Sequence, residues 1–211
     1  QQICVWALPV LFAITLHEAA HGWCAYKLGD PTAKLMGRVS LNPLVHIDPI
    51  GSILVPLLVG LGSGFTMVFG WAKPVPITYE NFKNKRRDIT LVAFAGPAAN
   101  ILMALFWGLG LKLFSGGAEN SSMLQFFVYA SMAGIMINLI LFSLNMLPVP
   151  PLDGAKIVSS LLPPKYAYYY DKLEPYGFLI LLVLMWTQIL GLILKPMLNT
   201  LFTGLIFVLG V

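Results

Sequence analysis

Charge is what this sequence has least of. Of its 211 residues only 10% are Asp, Glu, Lys or Arg, against 58% apolar, where a soluble domain carries about 25% charge. The deficit excludes an ordinary water-facing surface, and a mean hydropathy of +0.80 points to a chain embedded in lipid. Cysteine is equally scarce. Cys4 and Cys24 share one apolar segment, about 30 Å apart on a continuous helix, too far to pair with each other. Also missing are an internal repeat, a low-complexity tract beyond Tyr166 to Tyr170, and a polar run long enough for a linker or a second soluble domain. No basic leader precedes the first apolar stretch, so no cleavable signal is expected. A single membrane domain over residues 1–211 is the expectation.

The net charge of +4 could suit nucleic acid. The thirteen Lys and Arg, however, lie in loops beside apolar segments, where such residues fix membrane orientation. Nucleic acid is therefore excluded as a partner, and the lipid bilayer is the expected surroundings.

Apolar segments at 3–28, 89–114, 123–147 and 176–194 have the length of membrane spans, which need about 20 residues. A fifth, 50–71, contains Pro56, Gly60, Gly62 and Gly64, breaks that suit a re-entrant hairpin. A tail at 197–211 is short for a span. In Trp71-Ala72-Lys73-Pro74-Val75-Pro76-Ile77, alternate prolines forbid a helix and favour an extended edge strand near the membrane surface. The expected fold is an all-α integral membrane protein with about four transmembrane helices, a re-entrant hydrophobic hairpin and a short membrane-associated β element.

Chemistry concentrates in His17-Glu18-Ala19-Ala20-His21. The four-residue spacing stacks both imidazoles on one helical face, where they can share a zinc ion, and Glu18 beside them can serve as general base on a water activated by the metal. In a soluble protein the same pattern often marks no more than a solvated helix face. Within a lipid-length segment, three ionisable groups in five positions each cost a few kcal/mol unless they line a wet cavity or bind something. One protein ligand is then still missing. His46 is the only other histidine, and among the carboxylates Asp153 stands out, following the 123–147 segment through Pro148, Pro150 and Pro151. Prolines break the helix there and let the next residues turn inward, although an ordinary helix exit capped by Asp153 explains the pattern equally well.

The pairing of HEAAH with a distant Leu152-Asp153-Gly154 is accompanied by Leu28-Gly29-Asp30-Pro31, the stretch from Leu41 to Pro49, Trp71 to Pro76, and Gly96-Pro97-Ala98-Ala99-Asn100. Together they resemble the site-2 protease family, in particular its small bacterial branch without an inserted PDZ domain. The resemblance implies an intramembrane zinc metalloprotease that cuts transmembrane segments of other proteins in the bacterial plasma membrane. It implies one zinc per chain on His17, His21 and Asp153, with Glu18 as catalytic base. Asn145 is implied as a polar group near the site that could stabilise an oxyanion, and Asn100 as a packing or site-lining residue.

Topology offers an independent check. If every segment spans, the first and fourth cross in opposite directions and carry HEAAH and Asp153 toward opposite faces. If 50–71 is re-entrant, both motifs reach the same leaflet. Lys27, Lys34, Arg38, Lys73, Lys83, Lys85, Arg86, Arg87, Lys156, Lys165 and Lys172 then share one face, leaving Lys112 and Lys195 opposite: eleven against two, rather than eight against five. The positive-inside bias favours the re-entrant arrangement and puts the zinc site toward the cytoplasm.

Residues outside the motif have plainer readings. His46 is expected to be a local hydrogen-bonding residue rather than a ligand, and Asp48 a turn former or helix cap before Pro49. The Ala72, Lys73, Pro74, Val75 and Pro76 strand is expected either to bind substrate by strand addition or only to pack on the core. Rival functions are a membrane metal transporter, a non-catalytic relative that binds membrane helices, and a prenyl-protein-processing zinc protease. The last needs a glutamate ligand on a later helix, but Glu80, Glu119 and Glu174 all fall in loops.

Overall fold

The computed structural model describes all residues except 1, 63, 65–69, 117–120 and 211. Its helices are α1 (Gln2–Lys27), α2 (Thr32–Leu35), α3 (Val55–Gly62), α4 (Lys85–Ser115), α5 (Ser122–Asn145), α6 (Asp153–Leu161), α7 (Pro164–Asp171), α8 (Gly177–Trp186) and α9 (Ile189–Leu209). Three of them, α4, α5 and α9, are long and apolar enough to cross a membrane. Among the described residues there is no strand.

Helix α4 is the centre of the bundle. Asn84 opens it by accepting from the Arg87 N–H, and the Asp88 carboxylate in turn accepts from the Asn84 N–H, a reciprocal cap. α1 lies antiparallel against it, since His21 meets Val92 while Ala13 meets Asn100. α5 is antiparallel on another side, with Gly134 against Trp107 and Gly110 against Ser131. α1 and α5 therefore run the same way, and the chain between α1 and α4 leaves and returns at one end of the bundle. Residues 63 and 65–69 of the segment 50–71 lie outside the described residues. The segment begins with a π-helical turn, Pro49–Leu54, capped by Asp48 as expected, followed by α3.

At the other end, α4, α5 and α9 share a buried cluster of Ala104, Leu111, Ile135, Leu139 and Leu205. Gly108 admits Leu209 to the α4 backbone. The Lys112 ammonium donates to the Leu209 carbonyl, placing a cation where the carbonyls of α9 end unpaired.

Two expectations need correction. The 176–194 segment is not one helix. α8 has ten residues, about 15 Å and too short to span. Thr187 closes it by donating its hydroxyl to the Val183 carbonyl, and Gln188 turns the chain at φ 61°. The long helix is α9, which carries Pro196 inside it. A run that is apolar on both sides of a turn hides the join from hydropathy, and proline is tolerated within helices packed in lipid. The second correction concerns residues 71–77, which have no regular secondary structure and form no β element. Pro74 and Pro76 have no N–H for a ladder, while the Lys73 N–H goes to the His46 carbonyl and the Val75 N–H to Glu18.

Asp30 fastens this strap to the end of α1. Fully buried, it accepts from the Thr32 N–H and hydroxyl, the Thr78 N–H and the Asn81 amide. Burial opposes its charge, but these donors hold the carboxyl below its ordinary range. Asp30→Asn turns an amide donor toward donors and is expected to cost about 1–3 kcal/mol. A lower Tm in detergent is the readout, and an unchanged Tm would show that the network is dispensable.

Candidate metal centre

The two imidazoles of α1 face α4, and their tautomers are set from behind. The His17 Nδ1–H donates to Asn100 Oδ1 at 2.7 Å, and the His21 Nδ1–H to the Val92 carbonyl at 2.7 Å. Both Nε2 atoms are therefore bare and point at each other, 3.0 Å apart. Asp153, the first residue of α6, brings Oδ2 to 3.2 Å from His17 Nε2 and 3.3 Å from His21 Nε2. All three residues are buried, at 8, 7 and 7% exposure.

These three atoms make a nearly equilateral triangle of acceptors with no proton among them, and Asp153 Oδ2 has no hydrogen-bond donor. Such a cluster needs a cation. Ligand atoms about 2.0–2.1 Å from a tetrahedral zinc lie roughly 3.3 Å from one another, so the observed edges fit zinc. Space fits too: a Cβ on Gly96 would collide with His21 Nε2 and lie 2.7 Å from His17 Nε2.

Known proteins resemble this chain in sequence. Residues 111–187 match Peptidase family M50. A Bacillus subtilis protein named "Putative zinc metalloprotease YwhC" is 39% identical over 200 residues, covering 91% of this chain and 84% of its own length. The chain belongs to peptidase family M50, the site-2 proteases. A Mycolicibacterium smegmatis protein, "Putative zinc metalloprotease Rip2", is 27% identical over 189 residues, 86% of this chain and 66% of its own. No solved structure matches. Family membership and these names support a metalloprotease for which zinc is the plausible ion, and with the three apolar helices they support an integral membrane protein. No PDZ domain lies between the described helices of this site-2 protease.

Several parts of the protease site were not visible in the sequence. Asn138 donates to the Gly134 carbonyl and accepts from Asn100, so it fixes which way the Asn100 amide faces His17. It lies in the middle of an apolar run, the same anomaly that singled out His17. Gly154 lets α6 start directly beneath the end of α5, since a Cβ there would lie 2.5 Å from the Met146 and Leu147 carbonyls. Lys156, one turn beyond Asp153, is raised despite its burial by Tyr79, Asp153, Glu174 and Glu18, which keeps its ammonium charged.

Other expected residues have partners outside the triangle. Asn145 donates to the Leu141 carbonyl of its own helix at 3.0 Å. His46, as expected, is a local residue: its Nε2 pairs with the Ser40 carbonyl at 3.0 Å. The strap of Ala72 to Pro76 reaches the site at one point, the Val75 N–H, 3.0 Å from Glu18 Oε2.

Gly96→Ala is expected to abolish stoichiometric zinc binding while leaving the helical content intact. Zinc content by mass spectrometry with a circular dichroism control checks this, and a fully loaded variant would overturn the assignment of Gly96 as the floor of the metal site.

Proposed function

We propose that this protein is an intramembrane zinc metalloendopeptidase of the HExxH type that hydrolyses peptide bonds within or near transmembrane segments of membrane protein substrates. The observation that carries the reading is the buried triangle of His17 Nε2, His21 Nε2 and Asp153 Oδ2. It lies eleven residues along α4 from the basic end at Lys85 to Gly96, roughly 16 Å in, well inside a hydrocarbon core of about 30 Å. The basic residues Lys83, Lys85, Arg86 and Arg87 at that end support a cytoplasmic disposition of the site in the plasma membrane.

Zinc held by the three ligands would supply a Lewis acid that polarises the scissile carbonyl and makes water a nucleophile near neutral pH. Glu18 takes the proton from the attacking water and delivers it to the leaving amine. Asn100 and Val92 hold both imidazoles as neutral Nε2 ligands, and Asn138 backs Asn100. The strap at Ala72 to Pro76 forms the wall beside Glu18 along which an unwound substrate backbone would pass. Asn145 gives one amide N–H to the Leu141 carbonyl, and its second N–H would be the donor to an oxyanion. A helical substrate hides its carbonyls in its own hydrogen bonds, so segments weakened by Gly or Pro near the cut are preferred.

The test is cleavage of a model transmembrane substrate by purified protein in proteoliposomes, with zinc measured in parallel. Glu18→Gln is expected to keep zinc and lose at least a hundredfold in rate, and Asp153→Ala to lose both zinc and activity. A fully active Glu18→Gln would remove the general-base role. Stoichiometric zinc with no cleavage by the unmodified protein would favour a helix-binding relative instead.

A further inference from the structure

One peptide plane of the strap is held between two charges. The Pro74 carbonyl accepts from Arg38 Nη2 at 3.2 Å, and the N–H of the same peptide unit, on Val75, donates to Glu18 Oε2 at 3.0 Å. The same Arg38 nitrogen also holds the preceding carbonyl, that of Lys73, at 2.6 Å. Arg38 is buried at 7% exposure, and among the described residues it forms no ion pair. A buried guanidinium without a carboxylate is costly, so this arrangement has to be specified by something.

The surroundings fix the plane from each side. Pro74 and Pro76 carry no N–H, so Val75 has the sole main-chain donor of the three. Glu18 and Gly22 are four residues apart on one face of α1. A Cβ on Gly22 would lie 3.2 Å from Val75 Cγ1, so the missing side chain is what lets the strap settle beside Glu18. Lys73 is tied in turn to the His46 carbonyl.

We infer that Arg38 is a positioning residue for Glu18, acting through the Pro74–Val75 peptide: the guanidinium orients the plane, and the Val75 N–H then fixes one carboxylate oxygen so that the other faces the attacking water. Aligned charge, peptide dipole and carboxylate strengthen one another in a low-dielectric interior. The inference deepens the proposed hydrolysis and rests on it. Strap and arginine bind no substrate in this role. Loss of either lets Glu18 swing, which lowers kcat and leaves metal binding unaffected.

Val75→Pro removes the N–H donor, whereas Val75→Ala keeps it and trims only the side chain. In proteoliposomes with the model transmembrane substrate, Val75→Pro is expected to fall ten- to hundredfold below Val75→Ala in kcat, with similar KM and full zinc in both. Arg38→Met is expected to show the same kcat loss, and Arg38→Lys to recover part of it. In a Glu18→Asp background, where the shortened carboxylate no longer reaches the strap, Val75→Pro is expected to cost less than threefold. Equal kcat for Val75→Pro and Val75→Ala, or a loss in the Glu18→Asp background equal to that with Glu18 intact, would overturn the inference. If Val75→Pro loses zinc or fails to fold, replacing Val75 by its α-hydroxy acid, which exchanges the N–H for an ester oxygen, decides the same question. Unmodified protein and Glu18→Gln are run alongside. If the unmodified protein does not cleave, the proposed function fails; if it cleaves and the donor makes no difference, only the role of Arg38 fails.

Discussion

Three acceptor atoms directed at one point inside an apolar bundle repel one another unless a cation sits among them. Most of what distinguishes this chain from a generic membrane bundle answers to that constraint. The two imidazoles can present bare nitrogens only because their protons are taken by Asn100 and the Val92 carbonyl. Asn100 can accept only because Asn138 takes up its amide. Gly96 leaves the space, and Gly154 lets α6 begin close enough beneath α5 to bring Asp153 in. The fold meets the constraint by running α1 and α5 in parallel, so that a motif near the end of one and a turn beyond the end of the other arrive at the same depth.

Much of this was legible in the sequence because lipid makes polar residues conspicuous. His17, Glu18 and His21 are anomalous in an apolar run whatever the protein does, and Asp153 follows a proline-rich exit that cannot stay helical. The common direction of α1 and α5 also followed from the need to close one metal site and from where the basic residues lie. Asn138 carried the same signal and could have been found by the same argument. The glycines could not, because a missing Cβ matters only once the atom that would have met it is known.

The two misjudged segments have different causes. Between Tyr176 and Val211 every option is apolar, so hydropathy does not distinguish a helix broken at Gln188 from one broken at Pro196. The prolines of the strap keep it out of a helix, as read, but exclusion from a helix does not make a strand. Its neighbours are a histidine carbonyl, an arginine and a glutamate, contacts between residues far apart in sequence that no local pattern encodes.

The backs of the two imidazoles are held differently. His17 leans on a side chain, Asn100, while His21 leans on a main-chain carbonyl, that of Val92. A carbonyl of the backbone persists through any substitution at its own position, so the electron-donating strength of His21 is built into the path of α4. That of His17 is adjustable, since Asn100 and Asn138 can be exchanged for stronger or weaker acceptors. Variation in metal preference or ligand basicity along a lineage therefore has one arm of the site through which to act, and the other stays constant as its reference.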